Sequence, residues 1–509
     1  MSVSKNFFKY CLVFSLVLII PLCIPTLAQA TIYYVAQDGS DSNPGTETKP
    51  WASVDKAANT MEAGDTVYVK EGNYSGFDVS RSGTADNYIS YLAYPGHTPV
   101  IGQIYFQSGA SYNKFVDFEI TPASGGGVIM DHNNDHNIIS NCHIHHCNPG
   151  GSPGVDLSGG SDFNIVEDCK IHDAYYAIHT SGVGAANRGN IFRRNVCYNL
   201  TDDGFNFSPP TKDTQLIGNV IYDVDRDKSG GADGIHLYDD GTAIVKGNLV
   251  YLDGASTGGV FWIHGGSNHI IQNNTFVGLP GFSTAYGGII WLELTLNVTL
   301  KNNIGYSSDA SIGVVAGINS STRDDYNDWY NVDPSKCVYY GGEWKSVSQY
   351  KSEDKRGLHS ISKDPKFVDF AGRDFQLQAA SPCKGAGENG VDMGAYGVAG
   401  GGDGGTILPG EEIKVRNRPN PFHAGEENTL IEYTLSRSSN VTITIYDLVG
   451  QEVWRKSYEA GENGGREDNN IPWDGRNLSG KVVANGGYIC RIWVEKEHKY
   501  VVRKIGVVK

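Results

Sequence analysis

The sequence predicts an all-β protein in which a right-handed parallel β-helix is followed by a small immunoglobulin-like β-sandwich. Three observations support this fold class. The middle of the chain carries an internal repeat, its segments are rich in β-branched and aromatic residues, and a glycine-rich linker precedes about 100 strand-like residues. The right hand follows from the general rule for parallel crossover connections, because the residues themselves do not specify it.

The repeat is an apolar residue followed three positions later by Asn or Asp, and consecutive copies lie 24 to 29 residues apart. The repeated segments alternate with a period of two and contain no amphipathic helical run of useful length. One coil of this length cannot bury its apolar face alone, so successive coils must stack. We expect the repeated amides to lie at an inward turn, where they bond one another and the backbone. The copies are Ile138/Asn141, Ile165/Asp168, Phe192/Asn195, Leu216/Asn219, Val245/Asn248, Ile271/Asn274 and Leu300/Asn303.

Composition divides the chain into four parts. Residues 1–30 have the pattern of a secretory signal peptide, because Lys5 and Lys9 flank the start of a short apolar stretch that ends at the small-residue site AQA. Residues 31–396 are predicted to form the β-helix domain, with an N-terminal cap that contains one helix within residues 51–61. Residues 397–410 form a glycine-rich linker, and residues 411–509 form the β-sandwich.

The chain is acidic, with 41 basic against 57 acidic residues and a net charge of −16. This charge disfavours nucleic acid as a partner and suits a calcium ion. The apolar stretch of the signal peptide is short for a membrane span and no second one follows, so we expect a soluble protein without a transmembrane span. We also expect this protein to be a monomer. The seven cysteines after residue 30 lack zinc spacing, and we interpret most of them as small apolar core residues.

A small residue opens one strand in each coil and allows the coils to be aligned. In the rows GVDLS, AIHTS, GFNFS, GIHLY, GVFWI, GIIWL and GVVAG, the second residue is apolar and should point inward, so the third should point outward. Neighbouring strands lie about 4.8 Å apart, so adjacent members of this outward column can touch. The predicted column is Asp156, His179, Asn206, His236, Phe261, Ile290 and Val315.

Asp203 and Asp233 stand directly before the opening glycine of consecutive coils, and Asp202 is adjacent. Carboxylates stacked at strand spacing repel one another, so either a cation bridges them or one of them keeps its proton. Calcium accepts several oxygen ligands in flexible geometry, and Asn206 offers a further oxygen. The alternative interpretation is that Asp-Gly is a common turn dipeptide.

The N-terminal motifs YYVAQDGSDSNPGTETKPWASVDKAA, AGDTVYVKEGNY and YISYLAYPGHTPVI, with the ending DPKFVDFAGRDFQLQAASPCKGAGENGVDMGAY, resemble secreted pectin-lyase-fold proteins. The similarity is greatest to the polysaccharide lyase family 9 pectate lyases and their uncharacterised relatives. It covers residues 31–396 and is more specific for fold than for activity. The resemblance implies a calcium ion held by Asp202, Asp203 and Asp233, and a lysine that removes the proton α to a carboxylate. Asn206 stands where the family's motif ends on an acid.

The outward column contains no lysine, so the family's base has no clear counterpart. His179 and His236 are the candidates for this role, because histidine titrates near neutral pH, and the alternative is that both are exposed strand residues without a role. Side chains near the aspartates are candidates to bind a polysaccharide: Lys212, Arg226 and Lys228 through uronate carboxylates, and Tyr238 and Phe261 by stacking on sugars. The alternative for the two aromatic residues is packing in the core or at its rim.

The C-terminal motifs NRPNPF, IYDLVGQEV and WDGRNLSGKVVANGGY resemble the FlgD-like immunoglobulin-type domain that doubles as a type IX secretion sorting domain. This resemblance implies that the type IX secretion machinery is a partner. It also implies that the protein is secreted from a Gram-negative bacterium or held on its outer-membrane surface. The alternative is an ordinary spacer or a carbohydrate-binding module.

Three functions are compatible with these residues. The first is a calcium-dependent lyase that cuts a uronic-acid polysaccharide by β-elimination, and the clustered aspartates and histidines favour it. The second is a glycoside hydrolase with Asp203 and Asp233 as acid and base, but inversion needs carboxyls about 6.5–9.5 Å apart and adjacent coils place their backbones closer. The third is a non-catalytic surface protein that binds a glycan, and the missing lysine favours it.

Overall fold

The computed structural model describes residues 30–148, 150–181, 184–226, 231–254, 258–284, 287–396, 415–435, 439–447, 452–465, 468–494 and 499–508. Residues 1–29 of the predicted signal peptide, the linker over residues 397–410 and Lys228 lie outside these ranges. Within them, no helix is both long enough and apolar enough to cross a membrane.

Three long sheets form a solenoid, and a typical coil contributes one strand to each sheet. The strands are parallel except for Glu343–Lys345, which ends the second sheet as an antiparallel strand. The first sheet contains Ile32–Val35, Thr66–Val69, Ile89–Ala93, Asn113–Val116, Ile138–Ser140, Ile165–Glu167, Ile191–Arg193, Gln215–Ile217, Ile244–Lys246, Ile270–Gln272, Thr299–Lys301 and Arg323–Asp325. The second sheet contains Phe77–Val79, Ile104–Phe106, Val128–Met130, Val155–Ser158, Ile178–Ser181, Phe205–Phe207, Ile235–Tyr238, Phe261–His264, Gly288–Glu293, Gly313–Ala316, Val338–Tyr340 and Glu343–Lys345. The third sheet contains Asn73–Tyr74, Val100–Ile101, Glu119–Ile120, His143–Ile144, Lys170–Ala174, Val196–Leu200, Val220–Tyr222, Leu249–Leu252, Thr275–Gly278, Ile304–Ser307 and Asp328–Asn331.

The inward side chains of the three sheets form one continuous apolar core along the solenoid. Strand side chains alternate between the core and solvent, as in the buried and half-buried pattern of Ile235–Tyr238. The seven cysteines from Cys142 onward are all buried and form no disulfide, which agrees with their interpretation as core residues.

The repeated asparagines form the predicted ladder inside the solenoid. Asn248 illustrates the pattern: its Nδ2 donates to Leu216 O at 2.8 Å and to Asn274 Oδ1 at 2.9 Å, and its Oδ1 accepts from the backbone and side-chain nitrogens of Asn219. Each amide therefore satisfies its neighbours on both sides without water. The members of this ladder are Asn195, Asn219, Asn248, Asn274, Asn303 and Asn327.

The first two copies of the repeat were assigned one residue too early. Strand pairing aligns Ile139 and Val166, rather than Ile138 and Ile165, with Phe192. The ladder position in these coils is therefore occupied by Cys142 and Cys169. Asn141 and Asp168 instead adopt positive φ of 51° and 55° directly before the cysteines, a conformation that Asn and Asp tolerate better than most residues.

Short helices lie near the two ends of the solenoid, and a hairpin packs on the outer face of its third sheet. The predicted N-terminal helix is confirmed at Val54–Thr60, and the Ser53 side chain caps it by accepting from Lys56 N. At the other end, Val347–Asp354 forms a second helix with a capping box built by Ser346 and Gln349. The remaining short elements are the 3₁₀ helices Pro334–Lys336 and Glu388–Gly390, the paired strands Asn187–Arg188 and Thr211–Lys212, and the hairpin of Phe367–Asp369 with Asp374–Leu377.

The C-terminal region folds as two sheets around its own apolar core, which includes Trp473 and Tyr488. This arrangement confirms the predicted small β-sandwich. One sheet contains Val415–Arg418, Thr429–Thr434 and Asp468–Trp473, and the other contains Phe422–His423, Lys499–Val508, Gly486–Val494, Val441–Tyr446 and Glu452–Tyr458.

Candidate functional site

The second sheet carries the predicted outward column, and its register confirms the first four members. Asp156 pairs with His179, His179 pairs with Asn206, and Asn206 pairs with His236 on successive coils. All four side chains are half-buried on the outer face of the sheet, so these polar groups form one continuous strip across four coils.

From the fifth coil onward the predicted column is displaced by one residue. His236 pairs with Trp262, which in turn pairs with Trp291, and these rings take the places assigned to Phe261 and Ile290. Phe261 is fully buried and stacks on Phe276 in the core, so its predicted role as a sugar-stacking residue is wrong. Val315 is likewise buried, and its neighbour Ala316 pairs with Trp291.

The displacement in the fifth coil arises because two consecutive glycines, Gly258 and Gly259, precede its strand. The backbone of Gly234 bonds to Gly259 O, and that of Ile235 bonds to Val260 O, so Val260 occupies the position equivalent to Gly234. Gly259 therefore lies at the position of Asp233, and the row must be read one residue later. Since side chains alternate along a strand, this single-residue shift moves every side chain of the row to the opposite face.

Asp203 and Asp233 form a buried pair of carboxylates at equivalent positions of adjacent coils, only 4 % and 1 % exposed. Asp203 Oδ1 accepts from the backbone nitrogen of Asp233, and Asp233 Oδ1 accepts from that of Gly259. The other oxygen of each carboxylate is directed towards His236, whose Nδ1 lies 3.9 Å from Asp203 Oδ2 and 3.8 Å from Asp233 Oδ2. One oxygen of each acid thus anchors the pair, and the second is turned to the outer face.

These three side chains form a set that could hold a metal ion, since one ligand atom from each lies within 4.8 Å of the others. Asn206 adjoins the set, with its Nδ2 2.5 Å from Asp203 Oδ2. Asp202 is half-buried beside the pair and is not a member of the set, although its charge acts on both buried carboxyls. Among the described residues, no lysine or arginine forms an ion pair with Asp203 or Asp233.

The environment disfavours charge on all three groups. Burial raises the pKa of Asp203 well above its usual range, and the neighbouring carboxylates Asp233 and Asp202 raise it further. Burial also raises the pKa of Asp233, although the N–H of Gly259 opposes this shift. Burial, with a smaller contribution from His264, lowers the pKa of His236 to about 4, so its imidazole is neutral at pH 7. Without a cation, the pair therefore retains a proton near neutral pH.

His236 is held by stacking rather than by hydrogen bonds. Its ring lies against Trp262 with centroids 4.1 Å apart and planes inclined by 15°, and Trp262 stacks in turn on Trp291 at 5.2 Å. No hydrogen bond within the described part of the chain involves the His236 ring. A neutral imidazole with an unshared lone pair therefore lies directly beside the two acids.

His179 lies two coils from His236 and has different partners. Its Nδ1 is 3.0 Å from Asp156 Oδ1, and its ring stacks on Tyr176 at 5.2 Å. Tyr176 occupies the position equivalent to Asp203 on the preceding coil, and burial together with Asp202 and Asp203 raises the pKa of its phenol. The structure therefore places an oriented histidine and a phenol next to the acidic pair.

The two predicted basic residues that the structure describes form no ion pair with the aspartates. Lys212 belongs to a separate two-stranded sheet, where it pairs with Arg188. Arg226 is exposed, and its charge acts on Asp223. Neither residue bonds to the acidic pair in the described ranges. Their predicted roles in binding uronate stay predictions, as does that of Lys228, which lies outside the described residues.

Several residues of this face were not predicted from the sequence. Tyr238 is on the outer face as expected, but its ring is stacked on His264 at 4.5 Å. His264 Nδ1 lies 3.3 Å from Glu293 Oε2, which also accepts from Trp262 Nε1 at 3.1 Å. These contacts tie the stacked rings into one network on three successive coils. A correct count of the residues after Gly258 would have identified Trp262 and His264.

Comparison with known proteins supports this description of the solenoid. Residues 33–275 match the family model of the Pel9A-like right-handed β-helix region. The solenoid resembles the Pel9A-like β-helix. Residues 418–496 match the FlgD Ig-like domain, in agreement with the C-terminal sheets.

Two relatives show the extent of similarity along the chain. The uncharacterised protein YwoF of Bacillus subtilis is 25% identical over 431 residues, covering 69% of this chain and 92% of that protein. Pectate lyase PEL9 of Emericella nidulans is 29% identical over 136 residues, covering 22% of this chain and 33% of that lyase. The chain therefore spans one third of the length of PEL9.

Among solved structures, pectate lyase Pel9A is similar with a TM-score of 0.49 and 18% identity, covering 72% of this chain and 96% of that one. A rhamnogalacturonan lyase has a TM-score of 0.43 and 17% identity, covering 58% and 87%.

Proposed function

We propose that the protein is a secreted, calcium-dependent lyase that cleaves a uronic-acid polysaccharide by β-elimination, with His236 as the base. The observation that carries this proposal is the placement of a neutral histidine beside two buried carboxylates on the outer face of the solenoid. The match to the Pel9A-like family and the local similarity to a pectate lyase support the choice of substrate class.

The donor set fits a hard divalent cation. Asp203 and Asp233 each present one anchored and one outward oxygen, and Asp202 supplies further negative charge. Asn206 turns its Nδ2 to Asp203 and its Oδ1 to Ser208, so its amide would have to rotate to supply an oxygen ligand. Two buried carboxylates without a basic partner among the described residues are costly when ionised, and a cation would remove that cost. When bound, calcium would supply positive charge that attracts the uronate carboxylate and stabilises negative charge on it during elimination.

His236 is suited to remove the proton from the carbon next to the uronate carboxylate. Its imidazole is neutral at pH 7 and its ring is fixed by Trp262. The negative charge of a bound uronate raises the pKa of His236 and strengthens it as a base. As this proton passes to His236, the bond to the leaving sugar oxygen breaks, a carbon–carbon double bond forms, and the leaving oxygen takes up a proton from solvent. His179, oriented by Asp156, is the second candidate for this role.

The distance between the two aspartates argues against inverting hydrolysis, and their burial argues against the retaining mechanism, in which one carboxylate must reach the sugar ring. Their ligand oxygens lie within 4.8 Å of one another, whereas inverting hydrolases need about 6.5–9.5 Å between carboxyls to admit a water. Both acids are also almost entirely buried. Glycan binding without cleavage is the second candidate function, and the outer-face rings of Tyr238, His264, Trp262 and Trp291 favour it.

The test is a screen of purified protein on pectate, alginate and related polymers, with and without a calcium chelator. A lyase produces ultraviolet absorbance from unsaturated uronate that the chelator abolishes. His236→Gln should lower this rate at least about 100-fold, because general-base catalysis contributes about 10²–10⁴-fold. Asp203→Asn should also lower the rate, because it removes a charged ligand of the proposed cation. His132→Gln is the matched control, since that ring is 64% exposed and outside the site. Reducing ends without absorbance would indicate a hydrolase, and binding without either product would indicate a glycan-binding protein.

We also propose that export to the cell surface or beyond uses both ends of the chain. The signal-peptide pattern of residues 1–30 and the FlgD Ig-like match support this proposal, with the type IX machinery of a Gram-negative host as partner. Deletion of residues 411–509 should leave the protein in the periplasm. Surface display or secretion of the truncated chain at the normal level would contradict the sorting role.

A further inference from the structure

Three histidines form a second cluster on the third sheet, away from the acidic pair. They are His143, His145 and His172, and one ring nitrogen from each lies within 4.8 Å of the other two. Strand pairing places His143 opposite Lys170 and Ile144 opposite Ile171, so His145 and His172 are lateral neighbours on adjacent coils. The cluster therefore bridges two coils of the solenoid. His145 is buried, and the other two rings are half-buried.

The ring nitrogens face one another at close range. His143 Nε2 and His172 Nε2 are 2.7 Å apart, and the rings of His145 and His172 are stacked with centroids at 5.0 Å and planes inclined by 7°. Burial lowers the pKa of all three histidines, to about 4 for His143, and the rings also disfavour charge on one another. Neutral imidazoles present lone pairs, the form in which histidine binds metals.

Carboxylates hold two of the rings from outside. His172 Nδ1 lies 2.9 Å from Asp173 Oδ2, which leaves its Nε2 for the centre of the cluster. His145 Nε2 lies 3.1 Å from Glu119 Oε1, and its Nδ1 contacts Nδ1 of the exposed His146. A carboxylate that accepts from one imidazole nitrogen fixes the tautomer and raises the basicity of the other, which is the usual arrangement around metal-binding histidines.

A purely structural role explains only part of this arrangement. His145 and His172 continue into a stack of Tyr198, Tyr222 and Tyr251 along the same sheet, so ring stacking accounts for their presence on this face. His143 also packs against the rings of His145 and His172, but ring packing does not account for the direct approach of its Nε2 to His172 Nε2 or for the carboxylate on His172.

We propose that His143, His145 and His172 bind a divalent transition-metal ion of the zinc class, at a site separate from the aspartate pair. Three imidazoles with neighbouring carboxylates suit Zn²⁺, Ni²⁺ or Cu²⁺, whereas calcium prefers oxygen ligands. Because the ligands come from two coils, the ion links them and stabilises the solenoid at this point.

The experiment uses full-length, tag-free protein stripped with a chelator and then titrated with Zn²⁺ by calorimetry. His172→Phe keeps a ring on Tyr198 but removes the ligand, and His143→Gln removes the ring nitrogen that faces His172 Nε2. His236→Gln is the control at the other cluster. Wild type and His236→Gln should bind one Zn²⁺ tightly and gain thermal stability, and both cluster variants should lose that binding and that gain. Asp173→Asn should weaken Zn²⁺ binding about 10–100-fold.

Replacement of Zn²⁺ by Co²⁺ provides an independent readout of the ligands. Visible absorbance bands of a low-coordinate cobalt site should appear in wild type and be lost in His172→Phe. Circular dichroism of each stripped variant confirms that the solenoid is folded. Equal Zn²⁺ binding by wild type, His172→Phe and His143→Gln would overturn the proposal, as would loss of the tight site in His236→Gln alone or no tight binding at all. Each of these outcomes is independent of polysaccharide cleavage.

Discussion

Substitution of one ladder asparagine by alanine should destabilise the solenoid strongly. The Asn248 side chain takes part in four hydrogen bonds: it donates to Leu216 O and Asn274 Oδ1, and it accepts from both nitrogens of Asn219. Asn248→Ala removes all four and leaves the buried partners in the turns on both sides without replacements. Water cannot reach them, because the position is fully buried.

The expected cost follows from this count. A typical hydrogen bond contributes about 0.5–1.5 kcal/mol net, so four contribute roughly 2–6 kcal/mol. We therefore expect Asn248→Ala to lower the free energy of unfolding by about 3–5 kcal/mol. Asn59→Ala is the matched control, because Asn59 is exposed on the N-terminal helix and bonds only to Asp55. It should change stability by no more than about 0.5 kcal/mol.

The assay is urea denaturation followed by circular dichroism, combined with hydrogen exchange of the strands Gln215–Ile217 and Ile244–Lys246. A solenoid can unfold coil by coil, so exchange in the strands next to Asn248 reports the loss locally even if the global transition is not two-state. A midpoint and exchange pattern for Asn248→Ala that match those of Asn59→Ala would refute the account of the ladder.

Three further predictions concern the buried Phe261, the acidic pair and the candidate base His236. Phe261→Ala should cost about 3–5 kcal/mol of stability, measured by denaturation, because the ring is fully buried; a loss of polysaccharide binding with unchanged stability would contradict its burial. With a chelator present, the free energy of unfolding should fall as pH rises from about 4, because the folded-state pKa of Asp203 exceeds its unfolded value. Asp203→Asn should reduce this fall and be more stable than wild type at pH 8. Identical pH profiles of thermal unfolding for the two proteins would argue against the raised pKa. His236→Lys should retain cleavage only at higher pH than wild type, because lysine ordinarily titrates near about 10.4, and an unchanged pH–rate profile would exclude residue 236 as the base.

The solenoid could be predicted from the sequence because its buried amide ladder uses the same residue type, asparagine, in successive coils. The amide ladder needs a donor and an acceptor at one position of every coil, and asparagine supplies both. The prediction was wrong at Asn141 and Asp168 because the same residue types are also favoured at the left-handed turn one position earlier. The sequence cannot separate these two causes where cysteine replaces the ladder amide.

The candidate site was only partly predictable for a similar reason. The neighbourhood of Asp203, Asp233 and His236 followed from counting residues between glycines, since each coil there has one opening glycine. The count was wrong at Phe261 because two glycines precede it, and a single-residue error inverts the face. The histidine cluster was missed, although His145 and His172 are 27 residues apart, the same spacing as the first two copies of the repeat.

The asparagine ladder and the aspartate pair use the same stacking geometry but differ in what the stack can satisfy. An asparagine both donates to and accepts from the next amide, so the ladder is complete without any other group. Asp203 and Asp233 can only accept when ionised, and the backbone satisfies one oxygen of each. The second oxygen of Asp203 accepts from Asn206 Nδ2, and the second oxygens of both acids face His236 without a hydrogen bond to it. The two carboxylates repel each other when both are ionised. An asparagine of nearly the same shape at either position would remove this repulsion. The fold therefore does not explain the two carboxylates, and a bound cation or a retained proton does, which is the reason to look for the function here rather than at the other turns of the solenoid.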